Sequence, residues 1–166
     1  SDWSSDVCSS DLTVHITGHN SSTAYDGKEH IVNGYDVTGT SSPLYTENDF
    51  TFDGDAEAKG INAGTTYMRL SPSQFKNHNT NFGNVTFDIT DGYQTITPIS
   101  ATVTIVGKKD TTTYDGNEHS VSGYEVEIDN DLYTETDFTF SGTAEAKRTN
   151  AGTTNMGLVA DQFANT

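Results

Sequence analysis

The chain has 166 residues, with 24 Asp and Glu against 8 Lys and Arg, for a net charge of −16. Phosphate binding needs clustered basic side chains, so nucleic acid is excluded as a partner and adhesion to an anionic membrane is disfavoured. A single cysteine, Cys8, leaves no disulfide framework and no cysteine-type zinc site, and no run of 18 apolar residues is present to span a bilayer. Eight Tyr and eight Phe nonetheless supply apolar surface for small cores, which argues for a folded chain.

Residues 1–11, SDWSSDVCSSD, hold the sole tryptophan, Trp3, and no basic segment followed by an apolar one. No signal peptide is expected there, and the segment is read as foreign to the fold. Beyond it no stretch sustains a 3.6-residue apolar period, whereas alternation of β-branched and aromatic residues recurs. TVHIT places Val14 and Ile16 on one strand face. In STAYDGKEH, residues 22–30, Asp26 and Gly27 predict a type I′ hairpin, which needs positive φ at both central residues. After the turn Lys28, His30 and Val32 share one face and Glu29 and Ile31 the other.

DFTF sets Phe50 and Phe52 inward with Thr51 opposite, and TTYMRL sets Met68 and Leu70 inward with Tyr67 and Arg69 outward. SPSQF predicts one helical turn, capped by Ser71 or Ser73 and anchored by Phe75. VTFDI and YQTITPI supply closing strands. The expected core is Val14, Ile16, Val32, Tyr35, Val37, Phe50, Phe52, Met68, Leu70, Val85, Phe87 and Ile96, in a unit of six or seven short strands.

The chain then repeats itself. Tyr25 has its twin at Tyr114 and, after a one-residue deletion, Tyr45 has its twin at Tyr133; over residues 13–77, 37 of 65 positions equal their partners. This predicts a tandem array with a unit of about 88 residues: residues 12–99 form the first unit and 100–166 the second. Shifted back onto residues 1–12, the ending TDGYQTITPISA matches nothing, which is why residues 1–11 are set outside. Thr166 corresponds to His78, so the second unit has no equivalent of residues 79–98 and reads as truncated, in a fragment of a longer protein. Ile31 becomes Ser120 while Val32 stays as Val121, which makes the valine face, with His30 and His119, the inward one. Glu29 then points away from His30. The motif reads as a turn with a partly buried histidine and not as a Glu and His serving one substrate.

TYDG, EH, V and GY, followed by FTFSGTAEAK, TNAGTT, M and L, resemble the YDG-type repeats, often called MBG domains, of Gram-positive bacterial surface adhesins. TYDG, NAGTT and YQTI match that pattern over residues 13–99 and again from residue 102. The resemblance implies an all-β chain of two tandem small β-sandwich or β-grasp-like units, in a secreted, surface-anchored protein with neighbouring repeat units as partners. It brings no catalytic residues.

The chemistry expected from individual motifs is sparse. Asp53, Asp55 and Glu57 in DGDAE alternate as calcium ligands do, but the second unit reads SGTAE there, so a solvated loop is preferred. Of five histidines only His30 recurs, as His119, so neither a zinc nor an iron site is expected. Asp129 and Asp131 have no twins. No nucleophile elbow or phosphate loop is present, and no enzyme activity, cofactor or metal is expected. Lys59 and Lys147, beside Glu57 and Glu145, lie outward by strand parity, where a protonated amine does not form an internal crosslink. The expected role is a stalk or spacer at the cell surface. The alternative is an adhesive module binding a host glycan or protein, which the sole Trp at position 3 and the replacement of Tyr67 by Asn155 disfavour.

Overall fold

The computed structural model describes residues 11–166; the readings of Trp3 and Cys8 lie outside the described residues. The described chain is all-β, its only helical pieces being single 3₁₀ turns, and it divides into two compact units between Ile99 and Ser100. Among the described residues no helix is long and apolar enough to cross a membrane.

Unit one contains ten strands: β1 (Leu12–Gly18), β2 (Asn20–Ala24), β3 (His30–Asn33), β4 (Tyr35–Thr40), β5 (Phe50–Phe52), β6 (Glu57–Gly60), β7 (Gly64–Tyr67), β8 (Phe75–Asn77), β9 (Val85–Thr90) and β10 (Tyr93–Thr97). Six or seven were expected. β2, β6 and β7, with sequences NSSTA, EAKG and GTTY, carry almost no apolar content and owe their form to partner strands, and β8 follows directly on the turn that Phe75 anchors. At the other boundary, Asp11, read as outside the unit, accepts a hydrogen bond from Asn84 Nδ2 at 3.2 Å.

The first and last segments of the unit run side by side and parallel. Residues 12–17 of β1 pair with residues 85–90 of β9, and residues 20–24 of β2 pair with residues 93–97 of β10. Antiparallel β4 flanks β1 and antiparallel β7 flanks β10, while β3 with β6 and β5 with β8 make two-stranded sheets. Between the halves the two runs touch at Gly18 and Gly92. A Cβ on Gly18 would collide with the backbone N of Gly92, and one on Gly92 with His19 O and with Met68 Sδ at 2.6 Å. Only hydrogen fits on either α-carbon.

Alternation along β1 buries Leu12, Val14 and Ile16, which join Tyr45, Phe50, Phe75 and Phe87 in the main core. The rings interlock edge to face: Phe50 and Phe87 lie 5.4 Å apart, and Tyr35 meets Phe52 at 5.2 Å and Phe75 at 5.3 Å. Each fully buried side chain of this kind contributes roughly 1.5–3 kcal/mol. A second cluster holds Ala58, Met68 and Leu70. Of the expected core, Val32, Tyr35, Val37, Phe52 and Val85 are only half-buried, while Leu12, Tyr45, Ala58, Phe75 and Gln94 are buried without having been counted.

Met68 and Leu70 do point inward as expected, but the strand ends at Tyr67, and Arg69 takes the left-handed conformation at φ 64°. The Asp91 carboxylate accepts from the N–H groups of Arg69 and Leu70, both at 3.0 Å, and so holds that kink. SPSQF forms the expected turn, a 3₁₀ turn over Pro72–Gln74, with Gln74 Oε1 accepting from Ser71 N–H at 2.8 Å and Phe75 buried beyond it. A second turn, Glu47–Asp49, was not foreseen. Its signal is Thr46 followed three residues later by Asp49, whose carboxylate accepts from Thr46 N–H at 2.8 Å.

Unit two contains β11 (Val103–Gly107), β12 (His119–Ser122), β13 (Tyr124–Ile128), β14 (Phe138–Phe140), β15 (Glu145–Arg148) and β16 (Phe163–Asn165). These correspond to β1, β3, β4, β5, β6 and β8, with the same pairings of β11 to β13, β12 to β15 and β14 to β16. Detail carries over as well. Tyr45 Oη donates to Asn77 Oδ1 at 2.9 Å and Tyr133 Oη to Asn165 Oδ1 at 2.8 Å. Residues 109–113 and 152–155, the equivalents of β2 and β7, form no strand.

Candidate functional site

The most strongly repeated polar cluster is the turn at Asp26, Gly27, Glu29 and His30, with its twin at Asp115, Gly116, Glu118 and His119. Gly27 has φ 76° and Gly116 φ 79°, the left-handed region that glycine enters without a side-chain clash. Asp26 is not in that region, so the turn is not type I′. Nor is it a hairpin, since β2 pairs with β10 and β3 with β6. The physical device is an Asx turn: Asp26 Oδ1 accepts from Lys28 N–H at 2.9 Å, and Asp115 Oδ1 from Asn117 N–H at 2.9 Å.

The same oxygen binds the histidine four residues on, at 2.8 Å to His30 Nε2 and 2.9 Å to His119 Nε2. The backbone N–H of Lys28, then His30, holds the Asp26 carboxyl below its ordinary pKa; Asn117 N–H and His119 do the same for Asp115. His30 is half-buried and Glu29 is exposed, as strand parity requires. The partner of His30 is therefore the aspartate and not the glutamate. In both copies the aspartate Oδ1 and the histidine Nε2 tie the turn to the strand that follows.

The remaining candidates also resolve into local structure. In DGDAE, Asp53 N–H donates to Gln74 O at 2.8 Å, and Glu57 lies 3.7 Å from Lys59 Nζ. Lys147 and Glu145 repeat that pair at 3.6 Å, with both lysines well exposed. Asp129 Oδ1 accepts from Thr102 N–H at 2.7 Å, while Asp131 is exposed. Among the described residues no three His, Cys, Asp or Glu side chains are grouped as a metal site.

Two features were not foreseen. His19 Nε2 lies 3.0 Å from Asp36 Oδ1 and its Nδ1 lies 2.7 Å from Asn33 O. Asp36, then Asn33, raise its pKa above the ordinary imidazole value. Tyr67 and Tyr93 face each other across β7 and β10 with ring centres 6.1 Å apart, Tyr67 being mostly exposed. No family model, curated protein or solved structure matches the chain.

Proposed function

We propose that this chain is a non-catalytic tandem repeat module of a bacterial cell-surface protein, a spacer that holds a distal head away from the cell. The observation that supports it is the parallel pairing of β1 and β2 with β9 and β10. A unit whose first and last segments run the same way receives the chain at one pole and releases it at the other. At roughly 3.3 Å per residue, residues 12–24 set those poles up to about 40 Å apart.

Small-angle X-ray scattering on one, two and four joined copies of residues 12–99 tests the spacer. The maximum dimension is expected to grow in steps approaching about 40 Å per copy. Growth with only the cube root of mass would defeat the reading.

The second reading, an adhesive module for a host glycan or protein, draws on the exposed Tyr67 beside Tyr93, an aromatic pair of the kind that stacks on sugar rings. Glycan-array binding by the intact chain that is lost in Tyr67→Ala would favour it over the spacer.

A further inference from the structure

We infer that His19 is a proton-operated clasp: protonated, it fastens the joint between β1 and β2 to the turn between β3 and β4, and deprotonated, it lets the two part. The inference goes beyond the spacer reading and does not depend on it. His19 is the single residue between β1 and β2, where the chain leaves the sheet of β4, β1 and β9 for the sheet of β2, β10 and β7. Its backbone is fixed on both sides, N–H donating to Gly34 O at 3.0 Å and O accepting from Tyr93 N–H at 3.1 Å. Gly34 N–H in turn donates to Ala56 O at 2.7 Å. The ring lies over Gly34, where a Cβ would come within 3.0 Å of His19 Nδ1. A side chain at that position would displace it.

The two ring nitrogens face two acceptors. Nδ1 lies 2.7 Å from Asn33 O and Nε2 lies 3.0 Å from Asp36 Oδ1, and neither a carbonyl nor an ionised carboxylate can donate. Imidazolium carries N–H on both nitrogens and satisfies both oxygens. Neutral imidazole carries one, so its other nitrogen turns a lone pair towards an oxygen lone pair, and that contact becomes repulsive. The groups around the ring favour the charged state. β4 brings Asp36 and the uncharged Tyr35, β3 ends in the neutral Asn33, and β10 brings the uncharged Tyr93. Asp91, ahead of β10, is engaged by the N–H groups of Arg69 and Leu70, and Asp55 and Glu57 flank Ala56. On the same face of β1, His15 is held by Asp88 at 3.0 Å.

Unit two shows what this seat selects. Lys108 N–H donates to Gly123 O at 3.1 Å and Gly123 N–H to Ala144 O at 2.8 Å, which repeats the backbone frame. Lys108 stands in the place of His19, and its Cδ, Cε and Nζ lie 3.6 to 3.7 Å from where a Cβ on Gly123 would be. Glu125 replaces Asp36. Both units therefore set a cationic side chain over a glycine, with an acid on the neighbouring strand. In unit two that side chain is a lysine; in unit one it gains and loses its charge near neutral pH. The clasp is closed below the ordinary imidazole pKa and opens as pH rises through the raised value that Asp36, then Asn33, sets.

The test is amide exchange by NMR on the full chain from about pH 5.5 to about pH 8.5, each rate being divided by that of an unfolded peptide at the same pH. Protection of the His19, Gly34 and Tyr93 amides should fall about threefold or more as pH rises, while that of Val14 and Ile16 holds. His19→Lys, a residue that the equivalent seat in unit two already accepts, should keep all three amides protected throughout. Asp36→Asn should move the fall to lower pH by about one unit. Constant protection of the three amides in the unaltered chain would overturn the inference, as would an unmoved midpoint in Asp36→Asn. The same fall in His19→Lys would also overturn it and would assign the response to His15, His30 or His78.

Discussion

GTTY in unit one and GTTN in unit two differ by one residue, yet residues 64–67 form β7 and residues 152–155 form no strand. Residues 20–24, NSSTA, likewise form β2, and their counterparts 109–113, KDTTT, form no strand although threonine favours strands more than serine does. In both cases the missing ingredient is not propensity but β10, which pairs with β2 and β7 at once in unit one. A strand here belongs to a pair of segments, and half of a pair is loop. The apolar segments behave differently, since β11, β14 and β16 form without any equivalent of β9 or β10. Their burial suffers instead: Phe50 is buried and Phe138 is half-buried, and Met68 and Leu70 are buried where Met156 and Leu158 are half-buried. Polar strands depend on their partners for existence, and apolar strands only for depth.

The sharpest test is to supply the missing partner within the chain. Appending a copy of residues 79–99 after Thr166 should turn residues 109–113 and 152–155 into strands and raise hydrogen-exchange protection throughout unit two. Counterparts of Phe87 and Ile96 alone would add about 3–6 kcal/mol of burial. Unchanged protection would mean that the difference between the units has another origin.

The crossing of the two parallel runs gives the next largest contrast. Gly18→Ala forces a methyl into the backbone of Gly92 and should cost unit one about 2–4 kcal/mol in a urea melt. The equivalent Gly107→Ala meets only side-chain ends, Leu158 Cδ1 at 3.1 Å and Met156 Sδ at 3.2 Å, and should cost about 1 kcal/mol or less. Equal costs would break the comparison.

At the kink, Arg69→Gly relieves a left-handed arginine and should stabilise unit one by about 0.5–1 kcal/mol. Gly157→Arg, with no Asp91 equivalent to hold it, should destabilise unit two by about 1–2 kcal/mol in thermal melts.

The smallest effects are those of pH. Both units hold an aspartate whose pKa is lowered, Asp26 and Asp115. Its contribution is complete above the unfolded carboxyl pKa and is lost as pH falls through the depressed folded value, so both units should soften together in acid. His19 has its pKa raised and is Lys108 in unit two. Its contribution is complete below the ordinary imidazole pKa and is lost as pH rises through the raised value. Melting followed across neutral pH should therefore shift unit one, and His19→Lys should reduce that shift.

Much of this was legible in sequence because apolar alternation is a local property. Val14 with Ile16, Phe50 with Phe52 and Met68 with Leu70 all point inward as their spacing predicts. The repeat helped too, since Ile31 changing to Ser120 identified the exposed face. What escaped were non-local properties. Asp26 and Gly27 resemble a hairpin turn, but β2 finds its partner some seventy residues away in β10, and no local rule reports that. Gln94 is buried because it shares the inward face of β10 with Ile96, donating to Thr23 Oγ1 at 3.4 Å and Thr95 O at 3.2 Å, in a strand whose pattern is polar. Arg69 gave one usable clue, the glycine at position 157, which marks a backbone conformation that arginine disfavours.

The parallel pairing of the outer segments has a mechanical consequence. A pull applied at Leu12 and Thr97 draws β1 and β2 one way and β9 and β10 the other, along their own axes. The hydrogen bonds between them are then loaded in shear, all together, where an antiparallel hairpin would unzip one rung at a time. Unit one should resist tension through this double seam before any loop around it is stretched.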